Sequence, residues 1–168
     1  IGSIRFKSFT TDEHKHYRYG ENILNGASDR FDDSKMPISA LNALPAKLAT
    51  LFPEGSILNR YMQKDILGRF VTMLFSVGIA YVVFRWSRSL YGLLPGFLAL
   101  TLYVFDPNII AHSRLMTTDI YATGMVALTI YTFWLFSKQR TWKYATLSAV
   151  TLGLAQVAKY TSAYLYPI

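Results

Sequence analysis

The sequence predicts an all-α, polytopic membrane bundle in which a polar outer segment, residues 1–65, precedes a membrane domain over 66–168. Three observations carry that prediction. The 168 residues are 52% hydrophobic and 15% aromatic, but the apolar residues come in blocks instead of being spread as in a soluble domain. The blocks Ile66–Phe84, Ser89–Phe105, Ile120–Phe136 and Tyr144–Ala158 carry hardly a charge, and each approaches the roughly 20 residues that cross a hydrocarbon core about 30 Å thick. Bases gather at two of the turns between them, Arg85 and Arg88 after the first block, then Lys138, Arg140 and Lys143 after the third.

These blocks read as four spans, 66–84, 89–105, 120–136 and 144–165. Because bases mark cytoplasmic loops, the two basic turns belong inside. The 106–119 loop, with Arg114 against two acids, then falls outside with segment 1–65. In a soluble chain the net charge of +7 would raise nucleic-acid binding; the positions of these bases explain it by topology, so no nucleic-acid partner is expected. The competing fold is a large soluble helical protein whose apolar blocks are buried core helices. With no cysteine, the redox compartment stays open. The chain begins at Ile1 without a start methionine or signal-like run and stops on KYTSAYLYPI. The expectation is an N-terminal fragment whose outer segment is delivered by a preceding transmembrane helix.

Two helices are predicted in the outer segment. Thr10 and Glu13 match a capping box, which starts a helix over about Thr11–Asn25 that stops at Gly26. After the turn-rich ASDRFDDSK, Pro37 suits the first turn of a second helix, where Ile38, Leu41, Leu44, Leu48 and Leu51 make one apolar stripe and Pro45 a kink. That stripe fits a membrane interface or a protein surface equally. On the first helix Asp12, His16, Tyr19 and Ile23 share one face, and Glu13, Tyr17 and Glu21 an adjacent one. The acids there serve as caps and dipole partners in the simplest reading. Asp12 and His16 have metal-pair spacing but lack a third and fourth ligand, so a divalent metal stays open but unsupported and no cofactor is assigned.

Read in order, TTDEHKHY, SKMPISALNALP, ILGRFVTMLF, SLYGLLPGFLALTLYVFDPNIIAHSRLMTTD and GLAQVAKYTSAYLYPI resemble the membrane glycosyltransferases of the protein O-mannosyltransferase and lipid A aminoarabinose transferase superfamily. The resemblance implies a GT-C fold of eleven or more helices. It also implies inverting transfer of a sugar from a polyprenyl-phosphate carrier to a protein, lipid or glycan acceptor on the outer face, and a fragment inactive by itself. Residue by residue, it makes Asp12 the catalytic base, with Glu13 orienting or capping beside it. Lys35 takes the place of the lysine that contacts the carrier phosphate. Relatives often read Glu-Lys-Pro-Pro where this chain has Ser34-Lys35-Met36-Pro37, so a metal held by that glutamate is in doubt here.

The second outer loop adds Asp119, Arg114 and His112, and Tyr17 joins them among the substrate-binding candidates. A carboxylate such as Asp119 at the head of a span needs a polar cavity or a partner; the plainer role is a helix cap with Thr117 or Thr118. Arg69 reads as a base that reaches a lipid phosphate or, in the favoured reading, snorkels, and Lys159 as a partner for Asp119 or a headgroup anchor. The other function class is a non-catalytic polytopic protein, a transporter half or assembly subunit, whose acidic outer segment binds a partner. Apart from Pro95 and Gly96 the spans have clean centres, which favours a site at the outer membrane surface.

Overall fold

The structure, a computed structural model, describes residues 10–27, 36–53, 55–57, 59 and 65–166. Regular structure among them is helical throughout. It comprises α1 (Thr11–Asn25), α2 (Ala40–Ala49), α3 (Asp65–Tyr91), α4 (Leu93–Phe105), α5 (Pro107–His112), α6 (Asp119–Gln139) and α7 (Trp142–Ala158), with 3-10 turns at Pro37–Ser39 and Tyr160–Leu165.

Local chemistry fixes several of the boundaries. The capping box forms: Thr10 accepts from the Glu13 N–H, and the Glu13 side chain accepts from the Thr10 N–H. Gly26, at φ 66°, closes α1 in the left-handed conformation that glycine adopts without a Cβ penalty. Pro37 opens the 3-10 turn that leads into α2, and Pro45 lies inside α2. Asp106 starts α5 by accepting from the N–H groups of Asn108 and Ile109, at 2.8 and 2.9 Å.

Several boundaries differ from the sequence expectation: α4 starts at Leu93 instead of Ser89, and Lys138 and Lys143 lie on α6 and α7 instead of in the turn between them. Arg85 and Arg88 lie not in a loop after residue 84 but on the last turns of α3, which continues to Tyr91 and breaks at Gly92, φ 95°. Long basic stems can run along a helix to reach water, so bases need not end it. The 106–119 loop contains α5.

Chain contacts divide into two units, Ile1–Leu74 with Ser113–Thr118, and Phe75–His112 with Asp119–Ile168. In the first unit the buried side of α2 and its leading turn is made by Ile38, Ser39, Asn42, Ala43 and Ala49. Most of the predicted leucine stripe lies elsewhere: Leu44, Leu48 and Leu51 are exposed, Leu51 at 76%. Small residues let the backbones approach, and a Cβ at Gly20 would strike the Ser39 carbonyl.

In the second unit a Cβ at Gly124 would come within 2.5 Å of the Phe75 ring and 2.7 Å of Ile79, so α6 and α3 pack at close range. Thr132 and Thr151 bond at 2.9 Å across α6 and α7, where Ala155 and Ala158 are fully buried. Small residues with hydroxyl bridges are the usual contact between helices in lipid. Two helices, Ile66–Tyr91 and Asp119–Gln139, are long and apolar enough to cross a membrane. Their apolar stretches are only 28% and 39% buried, unlike the core helices of a soluble protein. The fold is an all-α membrane bundle. At 13 residues, α4 is a shorter apolar helix, about 20 Å long at 1.5 Å per residue.

Candidate active site

The capping box leaves Asp12 and Glu13 as successive residues in the first turn of α1, about 100° apart around the helix. One faces water and the other is sealed: Asp12 is exposed, and Glu13 has no exposed surface.

Glu13 is the hub of the first unit. Its Oε1 accepts from Arg69 Nε at 2.9 Å and from the Met116 N–H at 3.2 Å. Its Oε2 accepts from Arg69 Nη2 at 2.9 Å, the Thr10 N–H at 3.1 Å and the Thr10 hydroxyl at 3.3 Å. Arg69 is therefore no snorkelling base. It is 5% exposed and engages both carboxylate oxygens as a fork, the geometry in which guanidinium and carboxylate bind most strongly. Burial pushes the Glu13 carboxyl up, but Arg69 and the N–H groups of Thr10 and Met116 outweigh it and hold the group below its ordinary value of 4.5. With both oxygens committed to these five donors, Glu13 has no free lone pair for a substrate proton.

The surrounding contacts hold the start of α3 against the outer segment. Asn42, 2% exposed, donates to the Gly68 carbonyl at 2.7 Å and to the Thr72 hydroxyl at 2.6 Å. Gly68 lies against Met116 Sδ, the Asn42 carbonyl and the Tyr17 ring, with no room for a Cβ. Leu67-Gly68-Arg69 thus has a physical reading: the glycine permits close approach and the arginine reaches Glu13. Asn42, and the pairing of Arg69 with Glu13, are what sequence reasoning missed. The available signals were a base opposite an acidic loop, and an asparagine between apolar residues of α2.

The other candidates fall as follows. Tyr17 is 9% exposed, packs with Ala43 and Met116, and borders a cleft of about 340 Å³ that Glu21 and Lys47 also line. His16 Nδ1 lies 3.3 Å from the Ser39 hydroxyl. Arg114 is half-buried in the Ser113–Thr118 stretch of the first unit. In the second unit Asp119 opens α6 and pairs with Lys159 at 2.9 Å, while His112 Nδ1 lies 3.4 Å from its other oxygen. Of the two roles open to Lys159, the structure shows the partner of Asp119. Lys35 and its neighbours Ser34 and Asp33 lie outside the described residues. Among the described residues no cluster of three or more His, Asp or Glu side chains is placed to hold a metal.

Residues 61–168 match the dolichyl-phosphate-mannose-protein mannosyltransferase family. The matched region contains Arg69, His112, Arg114, Asp119 and Lys159, and lies C-terminal to Asp12, Glu13, Tyr17 and Lys35. No curated protein and no solved structure matches the chain. The chain belongs to the dolichyl-phosphate-mannose-protein mannosyltransferase family, whose members are membrane glycosyltransferases of the GT-C type.

Proposed function

We propose that this member of the dolichyl-phosphate-mannose-protein mannosyltransferase family belongs to an enzyme that transfers a sugar, with inversion, from a polyprenyl-phosphate carrier to a hydroxyl of a protein, lipid or glycan. The reaction takes place on the extracytoplasmic side of a multi-pass membrane protein. The observation that carries the assignment of roles is the division of labour between adjacent carboxylates. Glu13 is saturated by donors and buried, while Asp12 is open to solvent one residue away.

Asp12 takes the proton of the acceptor hydroxyl as its oxygen attacks the anomeric carbon. The bond from that carbon to the carrier phosphate breaks, and the lipid phosphate leaves as an anion with no need of an acid. Glu13 and Arg69 hold the first turn of α1 in place beneath Asp12. Lys35, from its position before Pro37, serves the carrier phosphate by stabilising the charge that develops as the glycosidic bond breaks. Asp119, Arg114, His112 and Tyr17 are assigned to the binding of donor or acceptor. The exposed leucines of α2, Leu44, Leu48 and Leu51, suit a helix lying in the membrane interface.

The test is transfer by the full-length protein in lipid nanodiscs from synthetic polyprenyl-phosphate sugars, with nucleotide sugars as the comparison. Transfer from the lipid-linked donors supports the reading. Transfer from nucleotide sugars alone overturns it.

A further inference from the structure

The cytoplasm-facing end predicted for the second unit carries a cluster of charge that no catalytic reading uses. Arg85 and Arg88 on the last turns of α3, and Lys138, Arg140 and Lys143 around the α6–α7 turn, are five bases. No Asp or Glu occurs in 75–105 or 120–168, so no carboxylate within these stretches neutralises them.

A cleft of about 520 Å³ opens at this end. Arg85 and Arg88 line it together with Tyr131, Trp134 and Gln139 of α6 and Tyr144 of α7. Its size falls within the roughly 300–1,000 Å³ of small-molecule sites. The lining offers two guanidinium forks, two phenols and an amide, which are donors suited to phosphate oxygens. The Trp86 indole packs 5.5 Å from the Tyr131 ring and 6.2 Å from the Trp134 ring, and Tyr131 and Trp134 stack at 6.1 Å. Trp86, Trp134 and Trp142 are the three tryptophans of the sequence, and tryptophan concentrates at headgroup depth.

Below the arginines the same face of α3 turns apolar. Val77, Tyr81, Arg85 and Arg88 recur at helical intervals, and Val77 and Tyr81 are 65% and 61% exposed. A ligand in this cleft therefore meets donors at one level and an exposed apolar track beneath them.

We propose that the cleft between the C-terminal ends of α3 and α6 is a binding site for the headgroup phosphate of an anionic phospholipid, with an acyl chain lying along Val77 and Tyr81. Basic pockets between spanning helices on the cytoplasmic side are suited to such headgroups, and the cytoplasmic leaflet is the one rich in anionic lipid. The apolar track is what selects a lipid over a soluble phosphate.

The experiment is native mass spectrometry of the full-length protein released from detergent micelles and titrated with dioleoyl phosphatidylglycerol. Dioleoyl phosphatidylcholine and inorganic phosphate form the comparison arms. Phosphatidylglycerol should be retained in preference to both, and Arg85→Gln/Arg88→Gln should weaken its retention by roughly tenfold or more, as loss of charged hydrogen bonds implies. Lys138→Gln/Lys143→Gln removes the same charge from the same end but outside the cleft, and should change retention by a factor of about two or less. If the glutamine pair costs the fold, Arg85→Lys/Arg88→Lys serves instead; it keeps the charge, loses the fork and should still weaken retention severalfold. Equal losses in the arginine and lysine pairs would mean diffuse attraction and overturn the site. Equal retention of phosphatidylcholine, or displacement of the lipid by an equal concentration of inorganic phosphate, would overturn the lipid assignment.

Discussion

Arg69 and Glu13, 56 residues apart in sequence, meet in two hydrogen bonds of 2.9 Å with 5% and 0% of their surfaces exposed. The pair joins the first turn of α1 to the first turns of α3, so the element carrying Asp12 is fixed to a spanning helix by a buried charge. Removing one member leaves the other buried and uncompensated, which costs about 3–5 kcal/mol. Arg69→Ala should therefore lower the melting temperature markedly. Arg69→Lys should recover only part of the loss, because an ammonium cannot reproduce the fork across both oxygens. Thermal unfolding in micelles checks this; an unchanged melting temperature for Arg69→Ala would show that the pair contributes nothing.

The same pair sets a pH dependence. The folded carboxyl of Glu13 is depressed below its ordinary value of 4.5, so the folded state holds its proton less tightly than the unfolded one. Its contribution is complete above 4.5 and is lost as the pH falls through the depressed value. Melting temperature should hold steady from neutral pH down to about 5 and then drop. In Glu13→Gln the plateau should start lower and this part of the acid slope should vanish. An identical acid slope in the two proteins would assign acid unfolding to other carboxylates.

Two glycines of α3 give a paired test of packing. At Gly68 a Cβ would meet Met116 Sδ and, at 2.9 Å, the Asn42 carbonyl, whereas at Gly78 nothing lies within 4 Å. Gly68→Ala should cost about 1–3 kcal/mol through overpacking. Gly78→Ala should be neutral or stabilise by up to about 1 kcal/mol through helix propensity. Equal melting temperatures would mean that the outer segment does not press on α3 at Gly68.

What the sequence discloses divides by range. The bounds of α1 are legible because Thr10, Glu13 and Gly26 act within a few residues of themselves. The membrane character of α3 and α6 is legible because composition alone carries it. The partner of Arg69 is not legible, since no local pattern connects it to an acid 56 residues away, and a base at the head of a span snorkels by default. The leucine stripe of α2 misleads for a different reason. Periodicity identifies an apolar face, but in a membrane protein that face need not be the one packed on protein, and here Asn42, Ala43 and Ala49 are buried while Leu48 is exposed. Within the second unit, Asp119 and Lys159 were readable as a pair because an acid and a base at the heads of spans each seek a partner.

The last prediction separates Asp12 from its neighbour. If Asp12 is the base, Asp12→Asn should retain the fold. Thr10 supplies the N-cap, and Asp12, exposed in the first turn, contributes only the roughly 0.3–1 kcal/mol of a charge near the helix dipole. Transfer should nevertheless fall by the roughly 10² to 10⁴ that a positioned general base supplies. Thr10→Ala makes the complementary change. It removes a cap worth about 0.5–2 kcal/mol and should lower the melting temperature while leaving most of the turnover of the folded protein. If the acids of this turn serve only to start the helix, the order reverses, with normal turnover in Asp12→Asn and the larger functional loss in Thr10→Ala. The deciding measurement is single-turnover transfer from a polyprenyl-phosphate sugar by Asp12→Asn protein whose melting temperature lies within a few degrees of wild type. Turnover near the wild-type rate there would remove Asp12 from the chemistry.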